Sequence, residues 1–240
     1  MLLALFAIQL AAGLYLFLPL VGRRNAGVKF YRLILIVDAA LVATALVAHQ
    51  SIDGAIALVL IALVYFVLRY PKRLIYRASA ILLGCAFVAA SILTYDAAVH
   101  PPHIAWSVIG SLSTIALLGS VTMAMTLGHW YLVVRGMAID PLKRKTVATL
   151  VAAIAKLIVV FAAVFVGDVW REVAIRQGIF FWMRVGWGLA GPLVLYPMVW
   201  GTVKIRSTMA ATGILYVAVV AVVIGEVLGA WLSALVHLPV

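Results

Sequence analysis

The chain has 240 residues, 67% of them apolar and 10% charged, against roughly 45–50% and about 25% in an ordinary soluble domain. A soluble enzyme is thereby excluded. The net charge of +11 would suit nucleic acid, but the cations stand in short clusters between apolar runs, where they report membrane orientation instead.

The first apolar run, Met1 to about Val21, has no basic segment before it and is longer than the apolar core of a secretory signal. Arg23, Arg24, Lys29 and Arg32 follow it directly, which places its C-terminal end in the cytoplasm and the N-terminus outside. The second span runs from about Arg32 to His49 and carries Asp38 within it. A short outer turn through Asp53-Gly54 leads to the third span, about Ala55 to Tyr70, which Pro71 stops. Arg69, Lys72, Arg73 and Arg77 make the second inner cluster, and the fourth span then covers about Ala78 to Tyr95. Cys85 lies inside it; as the single cysteine it rules out an intrachain disulfide and a thiolate metal site made by this chain alone.

The outer loop from Asp96 to His103 is held extended by Pro101 and Pro102. The fifth span, about Ile104 to Tyr131, ends inside on Gly128-His129-Trp130-Tyr131. Asp140 before Pro141 reads as an N-cap followed by a proline at the first helical position. The sixth span, about Thr146 to Gly167, holds Lys156 near its middle. Asp168, Arg171, Glu172 and Arg176 follow at spacings that let a helical segment form its own ion pairs. The seventh span, about Ile179 to Val203, carries Arg184, Gly186, Gly188, Gly191, Pro192 and Pro197, so a kink or break is expected there. The eighth, about Gly213 to Leu235, has Glu226 between Gly225 and Gly229.

Fourteen of the eighteen Lys and Arg residues fall in the four inner segments of this arrangement, against Arg171 and Arg176 outside. The fold class expected is therefore all-α, a polytopic integral membrane helical bundle of about eight transmembrane helices. Both termini lie outside, and residues 1–240 form a single transmembrane domain. A faint echo links the hairpin from Tyr65 through Arg69 and Pro71 to Asp96 with that from Tyr131 through Arg135 and Pro141 to Asp168; shared topology alone generates much of it.

No HExxH, Walker loop or CxxC is present, and Gly186-x-Gly188-x-x-Gly191 follows no strand, so it is not a dinucleotide fingerprint. Chemistry must come from the spans. Lys156, Arg184, Glu226 and Asp38 are intramembrane charges, each costing about 2.5–3.5 kcal/mol at bilayer centre on insertion scales. Lys156 and Glu226 at matching depth suggest a pair, read as a packing salt bridge or as an ion relay. His129 beside Trp130 and Tyr131 suits a quinone: the imidazole donates to a quinone carbonyl and exchanges a proton, and an aromatic stacks on the ring. Haem b comes second as cofactor, and His49, His100, His103 and His237 at the outer ends are the residues available to a metal or haem iron.

The function expected first is thus a subunit of a redox or respiratory complex in the inner membrane, binding quinone near the cytoplasmic face. Its expected partners are membrane lipids and other membrane subunits. The alternatives are a small-solute or ion transporter built on a broken seventh helix and the intramembrane charges, and a structural anchor.

Overall fold

A computed structural model of the chain describes residues 1–50, 52–68, 73–134 and 137–240, with side chains described outside 23–25, 53 and 73–77. Arg69, Pro71 and Arg135, which carry the hairpin echo, lie outside the described residues, as do the side chains of Arg23, Arg24, Asp53, Arg73 and Arg77. Every element among the described residues is helical.

The chain runs through α1 (Leu2–Phe17), a 3₁₀ turn (Leu18–Leu20), α2 (Arg23–Ala48), α3 (Ile52–Val67), α4 (Arg73–Val99), α5 (Ile104–Val133) and α6 (Asp140–Val166). A π-helical segment (Arg171–Arg176), α7 (Gly178–Met183), a second π-helical segment (Arg184–Leu189), α8 (Ala190–Lys204) and α9 (Thr208–Val236) complete it. Seven stretches are long and apolar enough to cross a membrane, Gly178–Lys204 counting as one. At about 1.5 Å per residue α5 is about 45 Å long, more than the hydrocarbon core of about 30 Å, while the 16 residues of α3 reach only about 24 Å. α3 nevertheless lies back along α2, with the Arg32 guanidinium 5.8 Å above the Tyr65 ring.

α1 and α5 form the axis of the bundle. α1 packs on α2, α4 and α5, and α5 packs on α1, α4, α6 and α9. Their closest approach is at Gly13 and Gly119, where a Cβ added to Gly13 would stand 2.6 Å from the Gly119 Cα. Only glycines on both sides admit that contact. One apolar core then fills the side bounded by α2, α3 and α4, and a second fills the side of α6 to α9.

Several helix ends differ from the pattern expected. α2 starts nine residues early because the basic segment is itself helical, broken by Gly27 at φ 76°. α6 begins at Asp140 with Ile139 as its N-cap, so Asp140 sits in the first turn and makes no side-chain cap bond. There its charge still faces the positive end of the helix dipole. Lys145 is fully buried and donates from Nζ to the Phe17 carbonyl, satisfying the orphaned end of α1. Across the Pro101-Pro102 loop, Ser107 donates to Asp96 Oδ1 at 2.6 Å and ties α5 to α4. The segment after α6 does form its ion pair, Arg176 to Glu172 at 2.8 Å on an exposed face.

The irregularity of the seventh span falls at Arg184–Leu189, one turn before Pro192. Pro192 has no N–H to give the Gly188 carbonyl, and the wider π register takes up that loss upstream of the ring. Pro197 sits inside α8 without ending it.

Candidate functional site

Three of the four intramembrane charges meet. α9 holds Glu226, α6 brings Lys156, and the π-helical segment between α7 and α8 brings Arg184, which is the largest fully buried side chain among the described residues. Arg184 Nη1 stands 2.9 Å from Glu226 Oε1, and Lys156 Nζ stands 3.7 Å from Glu226 Oε2. Two cations thus share one carboxylate, from three separately positioned helical segments. Asp38 stays apart: it is wholly buried on α2, and neither of its carboxylate oxygens has a hydrogen-bond partner.

A hydroxyl completes the site. Lys156 Nζ donates to Thr114 Oγ1 at 2.7 Å, and Thr114 Oγ1 donates to Glu226 Oε2 at 3.0 Å. An unbroken donor–acceptor chain therefore runs from ammonium through hydroxyl to carboxylate, with Ser113 Oγ a second acceptor for Lys156 at 3.3 Å. Thr114 and Ser113 were not singled out from the sequence. The available signal was the run of seven Ser and Thr residues along α5, and nothing local separates Thr114 from the others.

The glycines of α9 are what let these charges in. A Cβ on Gly188 would lie 2.5 Å from the Gly225 Cα, so the π segment and α9 touch backbone to backbone. A Cβ on Gly229 would lie 2.6 Å from Arg184 Nε, so Gly229 is the seat of the guanidinium. The GxxxG pair thus packs a helix with one glycine and houses a cation with the other. Beside the charges lies a small polar hollow of about 10 Å³, lined among others by Gln9, Tyr95, Thr114, Lys156, Glu226, Ser233 and Val240. That is about the space one water needs. Gln9 Nε2 and two guanidinium nitrogens of Arg184, Nε and Nη2, are buried with no hydrogen-bond acceptor, while Nη1 faces Glu226 Oε1.

The three aromatic-cluster residues diverge. His129 is exposed, with its Nδ1 3.5 Å from the Tyr216 hydroxyl on α9. Trp130 donates to the Ala26 carbonyl at 3.2 Å and packs on Phe30, while Tyr131 donates to the Ala138 carbonyl. Successive helix positions are about 100° apart, so the three side chains point in three directions. Of the histidines at the opposite end, His49, His100 and His103 are exposed, and His237 places Nδ1 2.5 Å from the Val99 carbonyl. Among the described residues no three His, Cys, Asp or Glu side chains are grouped to hold a metal.

An apolar groove of about 640 Å³ lies between α1, the 3₁₀ turn and α4, lined also by Tyr31 of α2 and by Cys85. Comparison with protein-family models, with curated proteins and with solved structures finds no match for this chain.

Proposed function

We propose that the chain is a membrane transporter of a small solute or ion, with protons as the ion it handles. The observation that carries this reading is the convergence of Lys156 and Arg184 on Glu226 beside a polar hollow inside an otherwise apolar bundle. Buried charges at membrane depth are expensive, and a π-helical turn is a common companion of functional sites. Arg184 keeps its charge and holds Glu226 in place. A proton can pass from Lys156 Nζ to Thr114 Oγ1 as the Thr114 hydroxyl proton passes to Glu226 Oε2. The pair then changes between two ions and two neutral groups, and that exchange is what a transport cycle would couple to access from either side.

In this reading the bundle crosses the inner membrane eight times, α3 making the short return beside α2. That arrangement brings the basic segments 23–32, 69–77, 135–145 and 204–206 to one face and both termini to the other, as the distribution of cations favours. A bilayer thinned locally at α3 would accommodate its length.

The test is proton flux in vesicles that enclose a pH-sensitive dye, driven by a potassium diffusion potential. The purified chain should carry protons well above the protein-free leak, and Glu226→Gln should fall to that leak while remaining monodisperse. No flux above leak from the unaltered chain would leave the three charges as a packing device and favour the structural anchor.

One observation favours the redox reading as a second one: His129 is exposed beside Tyr216, within reach of a quinone dissolved in the lipid. Purification with native lipid tests it, since a co-purifying quinone, or a Soret band for haem b, would point to an electron-transfer complex and to partner subunits.

A further inference from the structure

Residues 237–240 do not trail from the end of α9. His237 adopts a left-handed conformation at φ 58°, which reverses the chain. Its side chain meets the last residue of α4 through Nδ1 and the Val99 carbonyl at 2.5 Å. Leu238, Pro239 and Val240 are then buried. Leu238 lies so close to Gly167 that any side chain there would overlap it, which ties the tail to the end of α6. Pro239 stands 3.0 Å from where a Gly110 Cβ would be, beside the Tyr95 ring, which ties it to α5 and α4. Val240 is held twice by one serine: its N–H donates to Ser233 Oγ at 3.1 Å, and Ser233 Oγ donates to its carbonyl at 3.3 Å. Val240 also forms part of the wall of the polar hollow that Gln9, Thr114, Lys156 and Glu226 line.

These four residues touch α4, α5, α6 and α9 and stand against the polar hollow that adjoins the charged site. We infer that residues 237–240 form a plug that closes this end of the polar hollow, and that its withdrawal admits water and small polar solutes to Lys156 and Glu226. With the tail in place the hollow has room for about one water. With Leu238, Pro239 and Val240 withdrawn, the space they fill becomes a path between α1, α4, α5 and α9 to the end of the bundle. The plug is the gate of the site assigned to transport, and its meaning rests on that reading; its test does not.

The test uses a thiol placed in the hollow. Gln9→Cys is made in a Cys85→Ala chain, because Cys85 is exposed in the apolar groove and would otherwise react. The protein is held in lipid nanodiscs, where both faces are open to reagent, and the rate of modification by a small hydrophilic thiosulfonate is measured. The plug predicts slow reaction with the tail unaltered and a rate about tenfold or more higher when residues 237–240 are displaced, because local opening of a docked segment governs access. Two displacements are used: removal of residues 237–240, and Leu238→Asp, which expels the segment if the shortened chain folds poorly. Equal rates with Leu238 and with Leu238→Asp would overturn the plug. Proton flux lost in Glu226→Gln together with unchanged thiol rates would sink the plug alone, and faster thiol reaction without proton flux from the unaltered chain would sink the transport reading alone.

Discussion

Thr114 shows how a single hydroxyl can decide what a buried ion pair does. The direct separation of Lys156 and Glu226 is 3.7 Å, beyond hydrogen-bond length, whereas each of the two links through Thr114, 2.7 and 3.0 Å, is a hydrogen bond. Thr114→Val keeps the shape and removes the link. It should destabilise the protein by about 1–3 kcal/mol, the cost of leaving buried polar groups without a partner, read as a lower midpoint in a denaturing-detergent titration. Thr114→Ser should restore both the midpoint and proton flux, whereas a purely steric role would be served equally by Val. Lys156, Arg184 and Glu226 were visible in the sequence because a charge in an apolar run stands out by itself. Thr114 was not, since a hydroxyl in a membrane helix ordinarily bonds back to its own helix, as Thr126 does to the Thr122 carbonyl at 2.8 Å. Lys145 was hidden for the opposite reason. It belongs to a cluster that topology explains, and it is buried where its side chain reaches the Phe17 carbonyl and ring at the end of α1.

At the scale of elements, glycine positions set the geometry. Gly13 and Gly119 bring α1 and α5 into backbone contact, and these two helices carry the rest of the bundle. Gly119→Leu should force them apart and cost about 1–3 kcal/mol or more, as overpacking does, with loss of monodisperse protein on size exclusion if the axis fails. The same substitution at Gly213, where nothing lies within 4 Å of an added Cβ, should leave the elution profile unchanged. The break in the seventh span was legible from its prolines, but its place was not. A proline removes a donor at its own position, and which carbonyl is left unsatisfied depends on the register the chain adopts upstream. The π segment that results turns Arg184 toward Glu226, so the irregularity and the charge site are one feature. The expected side-chain cap at Asp140 did not form. Pro141 already set the entry angle of the helix there.

For the whole molecule, the cation distribution and the helix lengths bear on the same question from two sides. If α3 crosses, then in a Cys85→Ala chain Lys29→Cys and Arg144→Cys, exposed positions before and after α3, should both label with an impermeant maleimide only from the cytoplasmic face. Labelling of the two from opposite faces would remove the eight-span arrangement. That the chain is a helical membrane bundle was determined by composition and by the length of its apolar runs, since backbone groups in hydrocarbon must bond within their own helix. The positions of the helices followed from the same physics to within about two turns, apart from the start of α2. Matching depth pointed to a Lys156–Glu226 pair, but that Arg184 would join it and Asp38 would not was beyond the sequence. Depth along a helix can be counted from its ends, but the direction a side chain takes around the axis is set by its neighbours. Tertiary packing put Arg184 with Lys156 and Glu226, left Asp38 by itself and sent His129, Trp130 and Tyr131 three separate ways. It also folded residues 237–240 back into the bundle, which no periodicity encodes, because that turn depends on contacts with α4, α5 and α6, all distant in the chain.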